Sequence, residues 1–419
     1  MRRLALPVLV VFLVGLCLSG ALGCVKKAAA PGDITTHTIV ALLPLTGVLS
    51  TFGENSKETA LLAAQDVNVW LAREGKAWRL DLKVEDDATD GPTALRKMQT
   101  WFGNGVKFFT GPQSSGAARE CLAFANANKI LFISQSSTSP ALAIADDWLF
   151  RFCTDDFIQG PGIARAAYEA GARHLIFGWR GDTWGDGLYA AGESAAKKLG
   201  IQVYDKVLRY DPGLEDFPKE AALLNDYVQD LINKGVPKSQ IGFVIVAFEE
   251  IAPFMAAADR YPLLKQIVWI GSDGTAMSEA LMKHPVASKF AVDTKFINTL
   301  NAPGLSTYAR FGYVRGHVFT VLGRETDAYS YNTYDMVWSL ARAIDEVGYD
   351  SEKVKAILPR VADEWTKLHG ASGHVVLNAA GDRAFADYDL WLLNEQVAWE
   401  KAGTYRGGTD SIDWYRPVY

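Results

Sequence analysis

An alternation of strand-like and helix-like segments runs along this chain, restarts near its middle and then breaks off. Apolar or alternating strand patterns at residues 37–44, 79–85, 107–110, 130–133 and 148–153 are separated by helix-period segments at 56–71, 92–102 and 117–128. Strands joined through helices need crossover connections, which set them parallel in a sheet with helices on both faces. The rhythm resumes with helical segments at 158–170, 187–199, 217–234 and 251–260 around strands at 174–178, 203–209, 241–247 and 267–271. About 380 residues follow the N-terminal leader, more than one hydrophobic core serves. The expected fold class is therefore α/β, with two doubly wound lobes. The tail departs from the rhythm, with helices expected at 306–322, 331–347 and 351–365 and strands at 373–377 and 386–393 around a turn at 378–382.

The first residues stand apart from this body. Arg2 and Arg3 precede an apolar run at 4–18 and small residues at 19–23, the pattern of a secretion signal. The run, about 15 residues, is shorter than the roughly 20 that a membrane span needs. Ala21-Leu22-Gly23-Cys24 resembles the bacterial lipoprotein processing site, with Ala21 where leucine is usual. That resemblance implies removal of residues 1–23 and attachment of diacylglycerol to Cys24. Residues 24–36, with Lys26, Lys27, three alanines, Pro31 and Gly32, have little to bury and are expected to form a tether. The body would then sit in the cell envelope, outside the cytoplasmic membrane or in the periplasm, touching a membrane only through its lipid.

The formal net charge of −6 becomes −8 once Arg2 and Arg3 are removed, because residues 1–23 contain no acid. An acidic body argues against a nucleic-acid partner. With Cys17 in the signal and Cys24 lipidated, Cys121 and Cys153 remain, and an oxidising compartment would allow them to pair or leave them as thiols. Their spacing fits no metal site, so neither metal nor cofactor is expected. There is no His-Glu-x-x-His helix, no phosphate-binding Gly-x-x-x-x-Gly-Lys loop and no Gly-x-Ser-x-Gly elbow. None of the six histidines lies in a candidate loop, so no catalytic residue is assigned and an enzyme is not expected.

Six loop motifs follow the predicted strands in order. They are Pro44-Leu45-Thr46-Gly47 with Phe52-Gly53, Glu85-Asp86-Asp87, Gly111-Pro112-Gln113-Ser114-Ser115, the run from Ile133 through Ser136-Ser137-Thr138 to Pro140, Thr183-Trp184-Gly185-Asp186-Gly187, and Gly271-Ser272-Asp273-Gly274. Together they resemble the leucine/isoleucine/valine-binding family of periplasmic receptors, the type I periplasmic binding protein fold that serves ATP-driven importers. The resemblance implies three hinge crossings, near 154–157, 292–296 and 372–375. Lobe one would hold 37–154 plus 296–372, and lobe two 155–295 plus 373–419. It also implies a small polar ligand, an amino acid or a relative of one, captured by hinge closure, with the permease subunits of an ABC importer as partners. A ligand-sensing receptor of the same fold, feeding a signalling partner, is the other reading.

Ligands of open α/β sheets sit beyond the carboxyl ends of the strands. Ser114 and Ser115 open a helix after a strand, where amides and hydroxyls can hold an anion; Ser114 also suits an N-cap. The resemblance implies direct contacts from Ser136 and Thr138, with Ser137 between them, in a segment that also reads as a Ser/Thr turn. It places Asp273 against a ligand ammonium, the kind of partner a buried carboxylate requires, and Phe52 and Trp184 as aromatic walls. Phe248 and Glu249 stand where leucine-type receptors carry tyrosines. Glu249 either adds an acid for a second donor on the ligand or supplies negative charge to the start of the next helix. Arg180 and Asp182 either contact the ligand or pair with each other at the cleft rim, and the rim pairing is the expectation.

Overall fold

The computed structural model describes residues 34–304 and 308–418. The signal, Cys24 and all of the expected tether before residue 34 lie outside the described residues. Five strands, β1 (Thr35–Leu43), β2 (Trp78–Asp86), β3 (Phe108–Thr110), β4 (Leu131–Ser134) and β5 (Leu149–Arg151), form a parallel sheet in the order β2-β1-β3-β4-β5. Thr35 and Thr36, expected in the tether, already pair with β2. Residues Ile39 to Leu43 are completely buried, as befits a strand covered on both faces. The connecting helices are α1 (Ser50–Arg73), α2 (Gly91–Gly103) and α3 (Ser115–Asn128). Asp90 caps α2 by accepting the Thr93 N–H, and Ser114 caps α3 by accepting the Ala117 N–H.

The second sheet begins after the chain leaves β5 and enters α4 (Asp156–Glu169). It continues through β6 (His174–Arg180), α5 (Thr183–Lys198), β7 (Gln202–Val203), β8 (Leu208–Tyr210), α6 (Pro218–Asn233), β9 (Ile241–Val246), α7 (Ile251–Ala258), β10 (Val268–Gly271), α8 (Glu279–Lys283), α9 (Pro285–Asp293) and β11 (Ile297–Asn301). One edge of β6 is shared, with β7 on its first residues and β8 on its last. Side chains of α4 and α5 pack one face of this sheet, and those of α6, α7 and α9 the other.

The tail forms α10 (Tyr308–Leu322), α11 (Ala328–Val347) and α12 (Ser351–His369), then the antiparallel strands β12 (Tyr388–Leu393), β13 (Trp399–Arg406) and β14 (Ser411–Trp414). The last three extend the second sheet to β14-β13-β12-β11-β10-β9-β6-β7. Met336, Val337, Leu340 and Ile344 of α11 pack between α1 and α12 on the first sheet, in the cluster that includes Ile39, Ala63 and Leu358.

Two expected boundaries move. β11 pairs in parallel with β10 and antiparallel with β12, so residues 297–301, expected in lobe one, belong to the second sheet. The second transfer between lobes therefore falls after Asn301. Residues 373–377 form no strand; Leu377 makes an isolated bridge with Arg383, while Asp382 bridges Arg151 of β5 and Val375 packs in the first-lobe core. The third transfer accordingly lies between Arg383 and Tyr388. Among the described residues no helix is long and apolar enough to cross a membrane, and Cys121 and Cys153 are buried free thiols.

Candidate functional site

The order β2-β1-β3 reverses the direction of winding at β1, so the loops after β1 and β3 diverge and leave a crevice between them. Gly111 makes this geometry possible, because a Cβ there would lie 1.9 Å from the Leu42 carbonyl oxygen. The second sheet has its own switch between β6 and β9, and the loops after β6, β9 and β10 face the first crevice. A cavity at this junction is lined by Leu49, Phe52, Gln113, Ser114, Ser115 and Ser136 from the first lobe and by Trp184, Phe248, Asp273 and Gly274 from the second, with Tyr329 of α11 completing it. With the lobes in this arrangement its volume is only about 20 Å³, room for about one water.

On the first-lobe wall the hydroxyls are tied to neighbouring backbone. Ser114 Oγ accepts the Ala117 N–H (3.2 Å), Ser115 Oγ accepts the Ser139 N–H (3.1 Å), and Ser136 Oγ donates to the Gln113 carbonyl (3.0 Å). The first amides of α3 have no carbonyl one turn back within the helix, so the helix start offers donors toward this wall. Behind it, Arg151 is fully buried. Its guanidinium forms a two-pronged ion pair with Asp382 (both contacts 2.5 Å) and donates to the carbonyls of Ser137 (2.7 Å) and Ser139 (2.8 Å), fixing the serine-rich loop.

The second-lobe wall is a stack. The Trp184 and Phe248 rings lie 4.5 Å apart with planes 6° from parallel, and the Arg180 guanidinium covers Phe248 at 4.1 Å. Arg180 is held by Asp182 and Glu250, each at 2.5 Å. The expected Arg180–Asp182 pair forms, but Arg180 is only 5% exposed and supports the ring stack from behind, while Asp182 keeps partial exposure. Gly274 lets the stack close: a Cβ there would lie 2.5 Å from the far edge of the Trp184 ring.

Asp273 carries the electrostatics. Its carboxylate accepts the Tyr329 hydroxyl (2.6 Å) and the Gln159 amide (2.8 Å), and Gln159 also reaches Thr299 (2.9 Å). Burial pushes the Asp273 pKa above the ordinary carboxylate range, against the pull of the Tyr329 and Gln159 hydrogen bonds. Asp156 is raised further, by burial first and by the charge of Asp273 second, with the Thr138 hydroxyl beside it pulling the other way.

The structure thus brings Phe52, Ser114, Ser115, Ser136, Trp184, Phe248 and Asp273 to one cavity and leaves out three residues expected there. Ser137 and Thr138 are buried behind the wall: the Ser137 carbonyl is held by Arg151, the Thr138 carbonyl accepts the Asp156 N–H (2.9 Å), and neither residue lines the cavity, the Thr138 hydroxyl lying by the Asp156 carboxylate. Glu249 points away from the cavity into a lobe-to-lobe contact. It accepts the Thr51 hydroxyl, and its N–H donates to the Val48 carbonyl (3.3 Å). Burial raises the Glu249 pKa, offset by Thr51 and Arg324. Four lining residues escaped the sequence reading as contacts: Leu49, Gln113, Gly274 and Tyr329. Gln113 sat inside a motif already singled out, whereas Tyr329 carried no local signal beyond an Asp327 cap one residue before its helix. Among the described residues no group of three or more potential ligands could hold a metal ion.

Known proteins share this architecture. The model for the receptor family ligand binding region matches residues 55–396. An uncharacterized protein of Methanocaldococcus jannaschii is 29% identical over 89% of this chain and 90% of its own length. The Leu/Ile/Val-binding protein BraC3 of Rhizobium johnstonii is 23% identical over 89% of this chain and 96% of its own. Among solved structures, the leucine-binding protein LivK of Thermotoga maritima superposes with a TM-score of 0.73 at 20% identity, covering 88% of this chain and 98% of that one. A solute-binding protein of an ABC transporter from R. palustris, in complex with benzoate, superposes at 0.70 with 17% identity over 88% and 96% of the two chains. With two parallel α/β lobes meeting at their switch points and a family match over most of its length, this chain belongs to the receptor family ligand-binding region and has the type I periplasmic binding protein fold.

Proposed function

We propose that this chain is the extracytoplasmic capture component of an ABC importer, and that it takes an α-amino acid with an apolar side chain between its lobes and releases it unaltered. The observation that carries the reading is the pairing, within one small cavity, of an acid on the second lobe with helix-start donors on the first and aromatic rings beside both. A zwitterion would meet complementary groups at each end. Its ammonium would face Asp273, its carboxylate the Ser114–Ser115 start of α3, and its side chain Phe52, Trp184 and Phe248. The names of relatives such as the Leu/Ile/Val-binding protein of Rhizobium johnstonii support the same class.

Capture would work by closure. Asp273 and Tyr329 belong to different lobes and are bonded to each other, as are Glu249 and Thr51, and the Ser139 hydroxyl donates to the Thr183 carbonyl (2.8 Å). A ligand touching both lobes adds to these contacts only in the closed arrangement and so shifts the balance toward it. Residues 1–23 as a signal, Cys24 as the lipid anchor and residues 24–36 as a tether complete the proposal by holding the body near permease subunits.

A thermal-shift screen against amino acids, amides, polyamines and aromatic acids tests the class, since a specific ligand raises the melting temperature by mass action. The expected hits are apolar α-amino acids, with affinity reduced at least about tenfold by Asp273→Ala, the loss of one charged hydrogen bond. Unchanged affinity in that variant, or turnover of the bound compound, overturns the reading.

A further inference from the structure

A second cavity lies where the chain passes between lobes. It is bordered by residues 300–304, which lead out of β11, and by 383–389, which lead into β12, and it leaves about 720 Å³ for the centre of a water-sized sphere. That is the size of pockets that take small organic ligands. Leu300, Phe311, Phe385 and Trp391 give it apolar walls from both lobes. Its charged groups are almost all paired. Arg315 meets Glu325 (2.6 Å), Arg406 meets Asp387 (2.8 Å), Lys401 meets Asp389 (3.3 Å), and Glu400 is met by Arg416 (3.1 Å).

Arg383 is the exception. It is 4% exposed, and among the described residues no carboxylate lies within ion-pair distance. Its terminal nitrogens donate to the carbonyls of Ser372 (3.0 Å) and His374 (3.1 Å) and, at 3.3 Å, to Asn332 and the Ser372 hydroxyl, while its Nε has no partner. Asp335 acts on it only at a distance, since the Asp335 oxygens are taken by Ala371 and Ser372. Asn301, 1% exposed and lining the same cavity, has neither its amide nitrogen nor its oxygen in a hydrogen bond. A buried cation whose counter-charge, Asp335, is reached only through Ser372 and a buried amide without partners are both costly, and an anionic guest would satisfy them together.

We propose that this cavity is a second ligand site, separate from the cleft, for a small organic acid with an apolar body and one further polar group: the carboxylate faces Arg383 and the polar group meets Asn301. Because its walls come from both lobes at their crossings, a guest there holds one relative position of the lobes and is coupled to the cleft reciprocally.

The test is calorimetric titration of 4-hydroxyphenylacetate into the full chain and into Asp273→Ala, Asn301→Ala and Arg383→Gln. Saturable one-to-one binding is expected in the wild type and in Asp273→Ala, weakened at least about tenfold in the other two. Arg383→Gln removes structural hydrogen bonds, so Asn301→Ala, which removes none, keeps the test open if the former fails to fold. Absence of saturable binding overturns the proposal, as does an affinity unchanged in Asn301→Ala. Binding abolished by Asp273→Ala but unaffected by Asn301→Ala places the acid in the cleft and also overturns it. Failure of the amino-acid reading would leave these outcomes untouched.

Discussion

Every serine hydroxyl that lines the first-lobe wall is bonded to nearby backbone, whereas the second-lobe wall presents two stacked rings and one acid whose hydroxyl partner reaches over from the other lobe. The first wall is a fixed surface built from within its own lobe. The second is complete only when the lobes meet. Selectivity for the ends of a ligand can therefore come from rigid geometry on one side, and closure from groups that change partners on the other.

The largest way to break this contrast is to loosen the rigid side. Asp382→Ala leaves Arg151 charged and unpaired in a dry interior, and the expected loss of unfolding free energy is about 3–5 kcal/mol, read by denaturant titration. A loss under about 1 kcal/mol, the scale of an exposed pair, contradicts a role in holding the serine loop. On the closing side, Trp184→Ala removes one ring of the stack. Ligand affinity should fall on the order of a hundredfold, or roughly 3 kcal/mol, with little change in secondary structure.

A pH profile sharpens the same comparison. In the closed arrangement without ligand Asp273 holds its proton to a higher pH than an ordinary aspartate, because burial disfavours its charge. An ammonium ligand favours the ionised form, so below that raised pKa binding must expel a proton. Affinity should then weaken by up to about a factor of ten for each pH unit of further acidification, setting in above the ordinary carboxylate range, and the dependence should vanish in Asp273→Asn. A flat profile in the wild type would mean that Asp273 does not meet the ligand's charge. The smallest effect is expected at Thr138→Val. Its hydroxyl lines no cavity and lies by the Asp156 carboxylate, away from the ligand, so affinity should stay within about twofold while stability falls by about 1 kcal/mol.

Much of the cleft was legible because parallel sheets put their site loops directly after strands. Ser114, Ser136, Trp184 and Asp273 each follow a recognisable apolar run, and their types suit a polar or aromatic wall. Thr138 was misplaced for a reason of scale: two residues beyond Ser136 the loop has already turned inward, where Arg151 and Asp156 hold its carbonyls, and spacing alone does not show that turn. Glu249 and Tyr329 depend on distant partners, Thr51 lying 198 residues from the one and Asp273 56 residues from the other. The sheet membership of β11 was hidden for a related reason. A buried strand of that length carries no mark of which neighbour it joins, and its antiparallel partner β12 comes more than 80 positions later in the chain.

The Arg151–Asp382 pair joins residues 231 positions apart. During synthesis, the loop that shapes the first wall cannot acquire its anchor until nearly the whole polypeptide has emerged. Binding competence should thus arrive late and all at once, after a slow search for distant contacts, and a nascent or C-terminally clipped chain would have helices and strands yet no functional grip.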